Sequence, residues 1–372
     1  MSTLRDRLAR VDRTDRADRT VRADSPARSR RTARTALSFA VAVITLLASI
    51  ALASLVGTAN IRPLDVVSTI LRHLGLGALA PSPPLPDLLD ALVWRSRVPR
   101  VLLAAVVGAG LSVSGAVLQS VTRNPLADPY LLGVASGAST GAVAVLLLGL
   151  GGGALSLSAG AFLGALLAFG LVLGLIGGGR ASNPARVVLT GVLVSQFFAA
   201  VTSVILTMSG DANSARGFTY WLLGSLGGAR WQPVVMAGLV ILVGTVAIQF
   251  FAPALDAFTF GWDAAGALGI NVTASRYRLM LLTAIVTASA VATSGAIGFI
   301  GLLVPHVVRI LIGPMHRTLL PMSALVGAIF LIWVDAFART AFSPHELPVG
   351  VITALLGAPA FALVLRRAGR DG

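Results

Sequence analysis

From residue 36 to its end the chain alternates long apolar runs with short polar breaks. Ten runs are predicted as helices, with approximate limits 36–57, 98–120, 132–151, 155–177, 186–208, 232–252, 277–295, 298–313, 318–339 and 347–366. A bilayer core about 30 Å thick needs roughly 20 apolar residues per helix, so runs of this length predict lipid as the solvent. The predicted fold class is all-α: a polytopic membrane protein with ten transmembrane helices. The eighth run is short and carries Pro305 and His306. Such a segment fits better inside a bundle than against lipid. Gly108, Gly110 and Gly115 in the second run and Gly164 in the fourth are small residues of the kind that let membrane helices approach closely.

Three stretches break the pattern. Residues 1–34 hold 11 Arg and 5 Asp with little apolar content, which predicts a disordered cytoplasmic tail ahead of a transmembrane domain at 35–372. Arg recurs at 7, 10, 13, 16, 19 and 22, so a helix lying on anionic lipid is the alternative. Ser29-Arg30-Arg31 resembles a twin-arginine export signal, but the run after it is long enough to span and many more follow. Residues 58–97 form the longest polar connection, with a Pro-rich stretch at 81–86 that reads as an extended spacer. Residues 253–276 contain no long apolar run. They read as a short helical patch ending at Leu268-Gly269, with Asp256 and Asp263 before its end.

Composition agrees with the pattern. Hydrophobic residues make up 56% of the chain and charged residues 12%, too few to cover a soluble surface. There is no cysteine, which removes disulfides, thiolate metal sites and cysteine nucleophiles. The net charge of +14 comes entirely from Arg. In a membrane protein this reflects basic cytoplasmic loops, and no nucleic-acid partner is expected. Alternating the ten runs from a cytoplasmic N-terminus puts ten Arg and four acids on the inner side, against eight Arg and six acids outside, before the basic tail is counted. That asymmetry places both termini in the cytoplasm.

Catalytic chemistry is not evident. His73, His306, His316 and His345 lack metal-ligand spacing, and no G-x-x-x-x-G-K-[ST] phosphate loop is present. Glu346 is the only Glu, beside His345 at a helix end. The expectation is a protein that is not an enzyme and carries no cofactor. Arg97 and Arg100 frame Pro99 at the outer end of the second run. They are either interfacial anchors or a docking point for an acidic partner. Asp335 and Arg339 are four residues apart and would pair on one helix face near the outer end of the ninth run. The 253–276 segment is either a plain interfacial helix or a knob fitting a cytoplasmic partner.

These stretches resemble a known family. The residues are the run from Arg97 to Ser139 (RVPRVLLAAVVGAGLSVSGAVLQSVTRNPLADPYLLGVASGAS), GSLGGARW at 224–231, GWDAAGALG at 261–269, GAIGFIGLLVPHVVRILIG at 295–313, HRTLLPMSALVGA at 316–328 and ELPVGVITALLGAPAF at 346–361. Together they resemble the iron-siderophore and vitamin B12 permeases (FecCD type) of ATP-binding-cassette importers, over nearly everything from about residue 60 to 368. The resemblance implies a BtuC-like type II importer permease in the cytoplasmic (inner) membrane. It also implies a second permease subunit, an ATPase dimer on the cytoplasmic face and an extracytoplasmic substrate-binding protein. The implied cargo is a ferric siderophore or similar chelate, with haem and cobalamin as alternatives.

Site residues follow position by position. Arg97, Arg100 and Arg339 match arginines that pair with acids on the binding protein. Gly261, Ala265, Leu268 and Gly269 match the coupling loop that inserts into the ATPase, and Asp263 lies inside it. Asn124 and Leu126 match one part of a cytoplasmic gate. Pro184 and Ala185 occupy the other part, where the family has small hydroxyl residues. The rival reading is an ion-coupled secondary transporter, which needs an intramembrane proton or sodium site; the runs are nearly uncharged. A second rival is a membrane scaffold whose basic tail binds partners.

Overall fold

A computed structural model describes residues 33–57, 61–149, 156–176, 184–209, 212–342 and 345–368. The chain divides into two compact units, residues 1–45 and 46–372. The expected tail at 1–32 lies outside the described residues; of the first unit only 33–45, the first part of a helix, is described. All regular structure among the described residues is helical.

Among the described residues fifteen α-helices follow one another: α1 (Ala33–Leu55), α2 (Pro63–His73), α3 (Asp87–Leu92), α4 (Val98–Val121), α5 (Val134–Leu148), α6 (Leu157–Ile176), α7 (Pro184–Ser209), α8 (Ala212–Leu222), α9 (Trp231–Gln249), α10 (Ala252–Thr259), α11 (Trp262–Ala267), α12 (Val272–Ser294), α13 (Ile300–Ile312), α14 (His316–Thr340) and α15 (Val349–Ala368). Seven are long and apolar enough to cross a membrane, and three shorter apolar stretches lie in α5, α13 and α15. Their positions coincide with the ten runs read from the sequence.

Polarity is inverted relative to a water-soluble fold. Leu163, Leu167, Leu171 and Leu175 on α6, and Leu239, Leu242 and Val246 on α9, point outward. No hydrophobic drive holds such helices together in lipid, so close packing must. The bundle is organised around α4, which is buried along most of its length and packs on α9, α12, α13 and α14. At Gly108 an added Cβ would collide with the backbone oxygen of Gly327 on α14. The same holds between α5 and α6, where Gly137 and Gly141 meet Gly164 and Gly160.

Helix α13 is short and largely buried, as the eighth run predicts. Thirteen residues rise only about 20 Å at 1.5 Å each, short of the hydrocarbon core. It starts after Phe299, whose φ of 68° breaks the helical path, and its first residues lie level with the last two turns of α4. Gln119 Nε2 donates there to the carbonyls of Gly301 and Leu302, at 3.1 and 3.3 Å. The break before α13 is therefore not a simple outer turn. Irregular backbone inside a bundle must be satisfied by protein groups. Here Ile297 N donates to Tyr130 Oη at 2.7 Å, and Ser225 N donates to Ser294 O at 2.8 Å.

The long polar connection is more structured than a spacer. α2 and α3 form a small cap in which Ile61, Val66, Val93 and Val98 pack together with Trp94 and Trp231. The His73 ring stacks on Trp94 with centroids 4.4 Å apart, and His73 Nε2 lies 2.8 Å from Asp90 Oδ2. Residues 80–86 remain non-helical, anchored by Ser82 N donating to Ser68 Oγ at 2.9 Å.

Candidate functional site

Helices α4 and α14 run antiparallel along their full lengths. Arg100 meets Asp335 at one end, Gly108 meets Gly327 between, and Ser120 meets His316 at the other. Twenty residues from 100 to 120 rise about 30 Å, close to the thickness of a bilayer core. Two polar clusters thus sit a membrane's width apart.

The first cluster gathers the three arginines singled out in the sequence. Arg97 and Arg100 enter at the start of α4, where Pro99 sits in the first turn and costs no hydrogen bond. Asp335 and Arg339 occupy the last turns of α14. Arg100 Nε lies 3.0 Å from Asp335 Oδ1, and its Nη1 lies 2.8 Å from Glu346 Oε2. Arg339 Nε stands 3.3 Å from Asp335 Oδ2, as the four-residue spacing predicts. The guanidinium of Arg339 also donates to the carbonyls of Val56 and Ala53 at 3.0 and 3.1 Å, capping α1. Arg97 Nη1 reaches Leu55 O at 3.4 Å. These arginines are largely internal, with 5%, 8% and 4% of Arg97, Arg100 and Arg339 exposed, whereas Glu346 is exposed. All three nevertheless line one cleft of about 80 Å³ with Gly57, Leu92, Ser96 and Glu346. Three guanidiniums and two carboxylates, those of Asp335 and Glu346, thus gather at one end of the α4–α14 pair.

The second cluster surrounds the end of α4. Asn124 forms a turn there: its Oδ1 accepts from Leu126 N at 2.9 Å, and its own N–H donates to Gln119 O at 3.0 Å. Leu126 is exposed at the tip. After the turn, Asp128 Oδ1 accepts from Tyr130 N at 2.9 Å. Burial pushes the Asp128 carboxyl up to about 6, and the Tyr130 N–H works against that shift. Burial also raises the Tyr130 hydroxyl well above its ordinary range. Pro184 and Ala185 open α7, and their side chains lie outside the described residues.

The polar segment 253–276 folds as a helical hairpin, α10 followed by α11. Gly261 enters α11 at φ 111° and Gly269 leaves it at φ 82°, values that a side chain would strain. Asp263 lies in the first turn of α11. Ala265 is fully buried against the hairpin, while Phe260 and Leu268 are 78% and 72% exposed. Arg276 stacks on the Trp262 ring at 4.2 Å, fixing the return into α12. A cavity of about 310 Å³ joins the hairpin to the Asn124 turn, lined by Ser120, Arg123, Pro125, Thr259, Arg309 and His316.

The sequence did not disclose the long-range pairs that hold these clusters. Asp256 and His316 are 60 residues apart yet bonded, and Arg100 and Glu346 are 246 apart. No local spacing signals either pair.

Comparison with known proteins accords with this geometry. Residues 44–367 match the model of the FecCD transport family. The chain is 41% identical over 316 residues to the ABC transporter permease protein YvrB of Bacillus subtilis, covering 83% of this chain and 88% of that one. It is 42% identical over 281 residues to the cobalamin import system permease protein BtuC of Halobacterium salinarum, covering 76% and 75%. It is 43% identical over 285 residues to the hemin transport system permease protein HmuU of Yersinia pestis, covering 74% and 84%. Among solved structures, a metal-chelate type ABC transporter in an inward-facing conformation superposes with a TM-score of 0.74 at 26% identity, covering 89% of this chain and 99% of that one. The chain belongs to the FecCD transport family and is a permease subunit of an ABC importer.

Proposed function

We propose that this permease carries a ferric siderophore or related metal chelate across the cytoplasmic (inner) membrane, driven by ATP hydrolysis on a separate ATPase dimer. In this reading the ten apolar segments cross with both termini inside, residues 1–34 form a basic cytoplasmic tail and 35–372 the permease domain. The arginine cluster is then the outer end and the α10–α11 hairpin the inner end. A second permease subunit completes the pathway, and an extracytoplasmic binding protein delivers the cargo. Haem and cobalamin are the alternative cargoes, since relatives are named for them.

The observation that carries the reading is the hairpin. It presents Phe260 and Leu268 to the exterior on a rigid base of Ala265, beside the turn of Asn124 and Leu126. An exposed apolar knob calls for a partner surface. Gly261, Asp263, Ala265, Leu268 and Gly269 are the proposed coupling element, and Asn124, Leu126, Pro184 and Ala185 the proposed gate. Arg97, Arg100 and Arg339 are proposed to receive acids of the binding protein. Their burial means a partner carboxylate has to enter the cleft rather than meet freely extended side chains. Asp335 argues against an ion-coupled mechanism, because it is clamped by Arg100 and Arg339 and is not available to shuttle a proton.

The test is uptake into lipid vesicles holding the permease, its ATPase and its binding protein, with iron-loaded siderophore, haem and cobalamin offered in turn. Uptake of one of them that needs ATP supports the reading. Uptake driven by an ion gradient with no ATPase present overturns it.

A further inference from the structure

Asp256, His316 and Ser120 form one continuous chain of hydrogen bonds from the hairpin to the end of α4. Asp256 Oδ1 on α10 accepts from the His316 backbone N–H at 2.8 Å and lies 2.7 Å from His316 Nδ1. On the other side of the ring, His316 Nε2 lies 2.6 Å from Ser120 Oγ on α4. His316 is the first residue of α14, so a single imidazole ties α14 to both α10 and the end of α4. The ring is buried, and its two nitrogens are both engaged.

We propose that His316 is a positioning residue that transmits movement of the α10–α11 hairpin to the gate turn. The inference rests on the proposed coupling and gate roles of those two elements. Directional bonds at both ring nitrogens fix the hairpin to α14 and α14 to the end of α4. Because the carboxylate faces Nδ1, the proton sits there and Nε2 accepts from the serine hydroxyl. The hydroxyl also lies 3.0 Å from the Ala116 carbonyl, so it can turn to accept from a protonated ring instead. The link to Ser120 therefore persists in either protonation state.

Ser120 stands at the right place to pass the movement on. Its neighbour Gln119 is held by Arg309 Nη1 at 3.1 Å and itself holds the start of α13. The Gln119 carbonyl accepts from Asn124 N, the first residue of the gate turn. A pull on Ser120 thus reaches the Asn124–Leu126 turn within one helical turn of chain.

The chain lacks cysteine, so a single Leu126→Cys change gives one label site in this chain, read on the separated permease band. The experiment measures its maleimide labelling rate in the reconstituted permease–ATPase complex, with and without ATP. In the otherwise unchanged protein ATP should alter the rate severalfold. Ser120→Ala, which removes one hydroxyl, should abolish that response while the complex assembles with an unchanged melting temperature. His316→Asn keeps an amide for Asp256 and loses reach to Ser120, so it should match Ser120→Ala. Combining the two should add nothing further, because both cut one contact. An ATP response that survives Ser120→Ala overturns the relay, as does a loss accompanied by a lower melting temperature or by losses that add. Absence of any ATP response in the unchanged background instead refutes the gate assignment itself.

Discussion

Arg100 and Asp335 lie 3.0 Å apart although 235 residues separate them in the chain, and each carries a second ion pair, Arg100 with Glu346 and Asp335 with Arg339. Breaking a buried pair by removing one partner typically costs 3–5 kcal/mol, roughly, because the other charge stays desolvated. Asp335→Asn should therefore lower the melting temperature in detergent sharply, since it uncovers both Arg100 and Arg339. Glu346→Gln removes an exposed carboxylate and should cost under about 1 kcal/mol. Equal effects of the two changes would show that the cluster is not organised around Asp335.

Arg97 donates from Nη1 to the Leu55 carbonyl and lines the same cleft as Arg100 and Arg339. Arg97→Glu should weaken binding-protein docking about tenfold, the effect of ~1.4 kcal/mol, while the permease–ATPase complex stays intact. Surface-immobilised permease titrated with binding protein measures this. Unchanged docking would remove the arginine cleft from the interface.

Leu268 caps the end of α11 and is exposed. Leu268→Asp places a charge on a surface proposed to be apolar in the complex. Uptake should fall at least about tenfold while the ATPase continues to hydrolyse ATP, a loss equivalent to ~1.4 kcal/mol or more. Parallel assays of phosphate release and vesicle uptake give the ratio, and normal uptake would exclude the hairpin as the coupling element.

Gly108 and Gly327 meet backbone to backbone. Gly327→Val would force α4 and α14 apart over their whole antiparallel register. Overpacking costs about 1–3 kcal/mol or more, and here the new side chain meets the Gly108 backbone carbonyl as well as Ser112. The expected result is poor folding and early aggregation in size-exclusion chromatography, whereas Gly266→Ala, with open space around its Cβ position, should behave normally.

Asp128 titrates in the folded protein near 6, above its ordinary value of 3.8, because burial disfavours the carboxylate. A carboxyl whose pKa is raised by folding holds its proton more tightly in the folded state. Its ionisation therefore erodes stability as pH rises from about 4 to about 6, with no further change above. Asp128→Asn should flatten the melting temperature across that interval. An unaltered pH profile would mean the carboxyl is solvated.

Apolar run length placed the membrane segments, because lipid-facing and core-facing helices alike need unbroken apolar chain. It could not show α2, α3 and α8, which are short, polar and held by packing against Trp94, Trp231 or neighbouring loops. The pairing of Asp335 with Arg339 was legible from a four-residue interval. Arg100 with Glu346 and Asp256 with His316 were not, since tertiary folding alone brings them together. The docking, hairpin and gate positions came from family likeness. The way each is held came only from the three-dimensional arrangement.

The carbonyl-to-glycine seams along α4 set what kind of motion the subunit can make. Helices meshed at backbone distance behave like the teeth of a closed clasp: they cannot slip past one another by a fraction of a turn. Any stroke arriving at one face of this protein has to swing the block as a whole, and the yielding parts are left to be the loops at its rims.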